Sequence, residues 1–192
     1  MIRRPTGITG SAKSSGTTND KSKFLPISKE SLKDIHYKGG QDVVTMYLEN
    51  NPNSKFFSGK GLILGGSHSP NLSSNKSLVG DLSAILIENI NPLVNFIRVP
   101  SKKIALMDEW EAKIEALANT TINQNVTNLS GVPSWMLVLI KYILEKTGKT
   151  SLEEVWPNLE VFFHGGVAFT PYRDQYNQVI KSDKMHYMET YN

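Results

Sequence analysis

Strands alternating with helices predict an α/β fold for this chain, a mixed, mostly parallel sheet flanked by helices. Three observations carry the prediction. Short apolar runs at Gly61-Leu62-Ile63-Leu64, Val126-Thr127-Asn128-Leu129 and Leu159-Glu160-Val161-Phe162-Phe163 read as strands. Each meets a turn of small or polar residues: Gly65-Gly66, Ser130-Gly131 and His164-Gly165-Gly166. Helical apolar spacing fills the stretches between them, as in residues 134–146. In parallel sheets ligands sit at the carboxyl ends of strands, and all three turns fall there.

Residues 1–12 read as an irregular segment, because Pro5 and two glycines interrupt a stretch with few apolar side chains. Lys23-Phe24-Leu25-Pro26-Ile27 reads as a strand, so the polar stretch before it joins two strands rather than a strand and a helix. Ser28 caps a helix to about residue 50, with Glu30 in its first turn and Gly39-Gly40 as its weak point. A polar loop through Lys76 leads to an apolar helix over residues 78–90. Pro100 stops a mixed segment, and residues 101–119 read as one amphipathic helix. Met107, Trp110, Ile114 and Leu117 form its core-facing stripe. Gly131-Val132-Pro133 turns into the helix over 134–146, with Gly148 just past its end. A helical turn at 151–155, a helix from Pro171 to about 181 and a last strand over 185–191 complete the chain. No internal repeat is evident, and an end directly after an apolar strand reads as the end of a fragment.

At 192 residues the chain can bury a real core in one domain. Its 39% hydrophobic and 20% charged residues are ordinary for a soluble protein. The net charge of +3 suits an anionic ligand as easily as nucleic acid. A basic stripe with interleaved aromatics is missing from the sequence, so the alternative of a nucleic-acid-binding domain rests on basicity alone. With no cysteine there is no disulfide, thiolate zinc site or cysteine nucleophile, which is compatible with a cytoplasmic protein. No apolar run approaches the ~20 residues of a membrane helix, and no signal-peptide core opens the chain.

The stretch Ser14-Ser15-Gly16-Thr17-Thr18-Asn19-Asp20-Lys21-Ser22-Lys23 concentrates small residues, hydroxyls and two lysines. Glycine admits an anion close to backbone N–H groups, hydroxyls donate to phosphate oxygens, and lysine adds compact charge. This is a plausible cradle for a triphosphate, and a flexible polar turn is its bland alternative. It is not a Walker loop, because the G-x-x-x-x-G-K-S/T spacing is absent.

Together with Gly131-Val132-Pro133-Ser134-Trp135 and Phe162-Phe163-His164-Gly165-Gly166-Val167, this stretch resembles the adenylate-forming superfamily. Within it the chain is most similar to the Gretchen Hagen auxin-responsive family of acyl-acid amido synthetases, in its bacterial form. The resemblance runs from about Lys13 to Asn192. It implies a ligase acting in two steps: a carboxylate attacks the α-phosphate of Mg-ATP to give an acyl-adenylate and pyrophosphate, then an amino acid takes the acyl group as an amide. It implies that Ser14, Ser15, Gly16, Thr17 and Thr18 hold the β- and γ-phosphates, with charge from Lys21 and Lys23 and magnesium near Thr18. His164, Gly165, Gly166 and Val167 match the turn against adenosine, and Tyr191 matches the first residue of the motif Y-x-A/S-S-E-G. After Tyr191-Asn192 the rest of that motif does not follow. The chain is therefore expected to be a single incomplete domain, 1–192. It would be part of the large N-terminal domain of an enzyme roughly two to three times longer. A nucleotide-binding remnant without catalysis is the alternative. The implied partners are ATP, a small carboxylic acid and an amino-acid acceptor, with no nucleic acid and no membrane.

Other residues read less sharply. Val132, Trp135 and Met136 could line an acyl pocket, with helix core at least as favoured for Trp135 and Met136. His164, at a strand end, reads first as a hydrogen-bonded structural histidine. His68 lacks the glycines of a nucleophile elbow around Ser69. Asp108, Glu109 and Glu111 read as a solvated helix face. Tyr172, Arg173 and Tyr176 read as a surface turn of helix, with Arg173 a minor candidate for phosphate.

Overall fold

The computed structural model describes residues 7–13, 24–67 and 78–190. They cluster into two compact units: Met1–Asn51 with Gly65–Ile90 and Leu106–Asp108, and Pro52–Leu64 with Asn91–Ala105 and Glu109–Asn192.

The first unit is built on β1 (Ile8–Lys13), the middle strand of a three-stranded sheet. β2 (Phe24–Ser28) pairs with it antiparallel, Lys13 opposite Phe24. β4 (Leu78–Gly80) pairs with it parallel on the other side. The polar stretch from 14 to 23 therefore joins two paired strands, as its neighbours predict. Residues 8–12 are not irregular, however: pairing with β2, and with β4 as well at Gly10, Ser11 and Ala12, imposes a strand that their own weak propensity does not announce. Pro26 is tolerated because β2 lies at the sheet edge.

Ser28 caps the following helix as expected, its Oγ accepting from the Ser31 N–H at 3.1 Å. α1 (Lys29–Ser31) passes through a π-helical segment, Leu32–Tyr37, into α2 (Lys38–Asn50). The Tyr37 hydroxyl donates to the Leu86 carbonyl at 2.8 Å, and burial pushes its pKa up to about 12. Ala12, Ile27, Leu32 and Ile85 form the small core. The helix expected over 78–90 starts later, as α3 (Leu82–Asn89). Residues 78–80 go to β4 because β1 offers them a backbone ladder, and Asp81 separates the two with extended dihedrals.

The second unit holds five parallel strands in the order β5 (Arg98–Val99), β3 (Lys60–Leu64), β6 (Val126–Gly131), β7 (Val161–His164), β8 (His186–Glu189). Near-continuous burial of β6 and β7 is what a parallel sheet covered on both faces requires. The expected α/β architecture, a largely parallel sheet flanked by helices, is the one observed. The core takes Leu62, Leu64, Leu129 and Phe162 from the strands. Met136, Ile140 and Ile143 join it from α6 (Pro133–Thr147), which ends on left-handed Gly148 as expected. Trp156 is buried, its Nε1 donating to the Thr121 carbonyl at 3.0 Å.

The single helix expected over 101–119 is two: α4 (Lys102–Ala105) and α5 (Trp110–Thr121). Glu109 breaks the run. It adopts extended dihedrals and its carboxylate accepts from the N–H groups of Glu111 and Ala112 at 3.0 and 2.6 Å, starting a new helix. Ile114 and Leu117 are core residues, whereas Met107 lies outside the helix and Trp110 is exposed. Glu109 is a cap rather than one charge on a helical face. α7 (Arg173–Val179) follows a 3₁₀ turn at Thr170–Tyr172 and ends two residues before the expected limit.

Candidate functional site

Parallel pairing puts the carboxyl ends of four strands level. Leu64 of β3 is opposite Gly131 of β6, Gly131 opposite His164 of β7, and His164 opposite Glu189 of β8. This is the edge at which open α/β sheets receive ligands. The segments leaving it begin with Val132, Gly165 and Thr190, so the expected adenosine turn and one end of the expected acyl pocket share that edge.

Gly165 and Gly166 are required by the turn itself. A Cβ on Gly165 would overlap the Thr190 carbonyl oxygen and come within 3.0 Å of Thr190 Oγ1. Gly166 has φ +83°, which L side chains avoid. Thr190 is held across the turn: its N–H and its Oγ1 both donate to the His164 carbonyl, at 2.7 and 3.0 Å. Val167 is exposed beyond the turn.

The His164 imidazole is 3% exposed, and its Nδ1 has no hydrogen-bond partner among the described residues. The expected hydrogen-bonded histidine is thus not what the fold makes of it: its carbonyl is bonded, its ring is stacked. The ring lies on Phe169 at 4.4 Å between centroids and 24° between planes, with Phe162 at 5.3 Å. Burial holds its pKa below the ordinary imidazole value, Glu189 opposes this, and Arg173 adds to it. Burial therefore favours the neutral ring.

Phe169 also carries the Arg173 guanidinium, whose Cζ is 5.1 Å from the ring centroid. Arg173 is exposed, as its sequence position predicts. Tyr176 is not a surface residue: it is fully buried and its hydroxyl donates to the Pro133 carbonyl at 2.9 Å, tying α7 to the start of α6. Helical spacing alone could not show this, because the polar neighbours of Tyr176 hide a single buried face. Phe169 was likewise missed; its one signal was an aromatic residue shortly after the glycine turn.

Val132 precedes α6 and its Cγ2 would lie 3.3 Å from a Cβ on Gly166, so it borders the turn. Trp135 is partly buried against the core and tilts onto Trp110 at 5.8 Å, while Met136 is wholly core. Ser14, Ser15, Gly16, Thr17, Thr18, Lys21 and Lys23 lie outside the described residues, as do His68 and Tyr191. Among the described residues no group of three or more histidine, aspartate or glutamate side chains is placed to hold a metal ion, and no helix is long and apolar enough to cross a membrane.

A structure titled GH3.15 acyl acid amido synthetase superposes on 96% of this chain with a TM-score of 0.69 at 15% identity. A second, titled AtGH3.15 acyl acid amido synthetase in complex with 2,4-DB, gives a TM-score of 0.62 at 15% identity over 96% of the chain. This chain covers 40% and 41% of those two chains, so the likeness is one of fold over part of their length. Comparison with curated protein sequences finds no match. The profile of the GH3 family N-terminal domain matches residues 4–185, nearly the whole sequence, and the chain belongs to the GH3 family.

Proposed function

We propose that this chain is the nucleotide-binding part of an ATP-dependent acyl-acid amido synthetase, a ligase that activates a small carboxylic acid and passes it to an amino acid. The observation that carries the reading is the match to the GH3 N-terminal domain over residues 4–185. The level carboxyl ends at Leu64, Gly131, His164 and Glu189 support it, since they supply one edge on which a nucleotide and an acid could lie side by side. In this reading residues 1–192 are a single incomplete domain of a longer enzyme, consistent with covering about two fifths of the solved relatives.

The residues fit a nucleotide in their chemistry. Ser14, Ser15, Gly16, Thr17 and Thr18, with Lys21 and Lys23, supply donors and charge for the phosphates, and their stretch springs from a paired β1–β2 frame. Thr18 would be the protein's ligand to magnesium, an ion that takes few protein ligands beside phosphate oxygens. The turn at His164, Gly165, Gly166 and Val167, with Tyr191, the residue after Thr190 in sequence, would meet adenosine, and Val132 with Trp135 would border the acyl group. ATP supplies the leaving pyrophosphate that makes a carboxylate reactive. No side chain of this chain need be a nucleophile; the protein positions the reactants and stabilises charge at the phosphates.

The test is release of AMP from ATP by the protein that carries this chain, with candidate acids and amino acids added singly and together. AMP release requiring both supports the reading. ATP binding with no acid-dependent turnover supports a non-catalytic nucleotide-binding remnant instead.

A further inference from the structure

We propose that Arg173 is an oxyanion-contacting residue of the ligand edge, held in place by a stacked platform of Phe169 and His164. The inference rests on the nucleotide-binding reading above and adds to it a contact made from outside the Ser14–Lys23 stretch.

Three observations converge on Arg173. Its guanidinium lies over the Phe169 ring at 5.1 Å, and that ring stacks on His164, the last residue of β7. The planar cation is thereby tied to the strand whose end is level with Gly131 and Glu189. A guanidinium held over a ring by its central carbon still has N–H groups beyond the ring to offer a planar or tetrahedral oxyanion. Second, Arg173 is exposed, and among the described residues no acid pairs with it. Third, the buried His164 Nδ1 beneath the stack has no partner among the described residues. A buried polar atom is usually hydrogen-bonded, and this one is left without a partner at the strand end that the stack covers. The shared chemistry is an oxyanion, either a phosphoryl group of the nucleotide or the carboxylate of the acid.

The experiment measures binding of AMP, adenosine and benzoate by calorimetry to the protein that carries this chain and to its Arg173→Gln, Arg173→Lys and Lys181→Gln variants. Lys181 is an exposed cation off the stack and controls for net charge. Loss of a hydrogen bond to a charged group should weaken oxyanion binding by about tenfold in Arg173→Gln, with adenosine unchanged. Arg173→Lys should fall between, because it keeps charge without the planar fork, and Lys181→Gln should match the wild type. A loss confined to AMP assigns the phosphoryl group, and a loss confined to benzoate assigns the carboxylate; either supports the proposal. A wild type that binds AMP or benzoate while Arg173→Gln binds them equally well overturns this inference and leaves the functional reading standing. A wild type that binds none of the three overturns both.

Discussion

Gly165→Ala separates a glycine needed for folding from one needed for a ligand. The added methyl would sit against the Thr190 carbonyl oxygen, a backbone atom that cannot swing aside as a side-chain end can. Relief requires moving Thr190, which breaks two hydrogen bonds to the His164 carbonyl, at 2.7 and 3.0 Å. Each bond contributes about 1 kcal/mol, and residual overpacking strain adds about 1–3 kcal/mol, so the cost is about 3–5 kcal/mol. Urea unfolding followed by tryptophan fluorescence reads it. With a slope of about 2 kcal/mol per molar, the midpoint should fall by about 1.5–2.5 M. Gly39→Ala is the counter-case. Gly39 is helical and exposed with nothing within 4 Å of its Cβ position, so alanine there should stabilise by about 0.5–1 kcal/mol. A Gly165→Ala protein as stable as the wild type would refute the close-approach argument for the turn.

Three further outcomes follow from the same geometry. Ser28→Ala removes the acceptor for the Ser31 N–H and should cost about 1 kcal/mol in thermal or urea unfolding. Trp156→Phe loses the Nε1 bond to the Thr121 carbonyl inside the core and should cost about 1–3 kcal/mol, read by calorimetric melting. His164 is held below the usual imidazole pKa by burial, so the unfolded chain binds its proton first as pH falls. Stability should be full above about pH 6.5 and decline as pH drops toward the lowered folded value; His164→Phe should flatten that decline, as measured by unfolding midpoints across pH 4–8.

The parallel sheet was legible because its strands are buried on both faces and so read as short apolar runs closed by glycine turns. Leu62, Leu64, Leu129 and Phe162 announce themselves in this way. β1 did not, because Gly10, Ser11 and Ala12 become a strand only through partners on both sides. The break at Glu109 was hidden by chance: Met107 and Trp110 continue a helical spacing that Ile114 and Leu117 genuinely use, and a carboxylate capping two N–H groups leaves no mark in apolar periodicity. At the site, glycines reveal a turn from sequence, but the His164–Phe169–Arg173 stack depends on how the chain after β7 folds back, which no local pattern encodes. The stretch from 14 to 23, proposed for the phosphates, is read from residue chemistry and family likeness between two strands that pair with each other.

Acid-dependent exchange of pyrophosphate into ATP, in the protein that carries this chain, tests the central claim most directly. It should be present in the wild type and fall in Thr18→Ala and Lys21→Ala by the loss of about 2.7–4 kcal/mol of transition-state stabilisation typical of one such donor. Acid binding should change far less, because these side chains act on charge that shifts toward pyrophosphate as the acid is activated. No exchange with any acid, or exchange unchanged in both variants, would contradict the account.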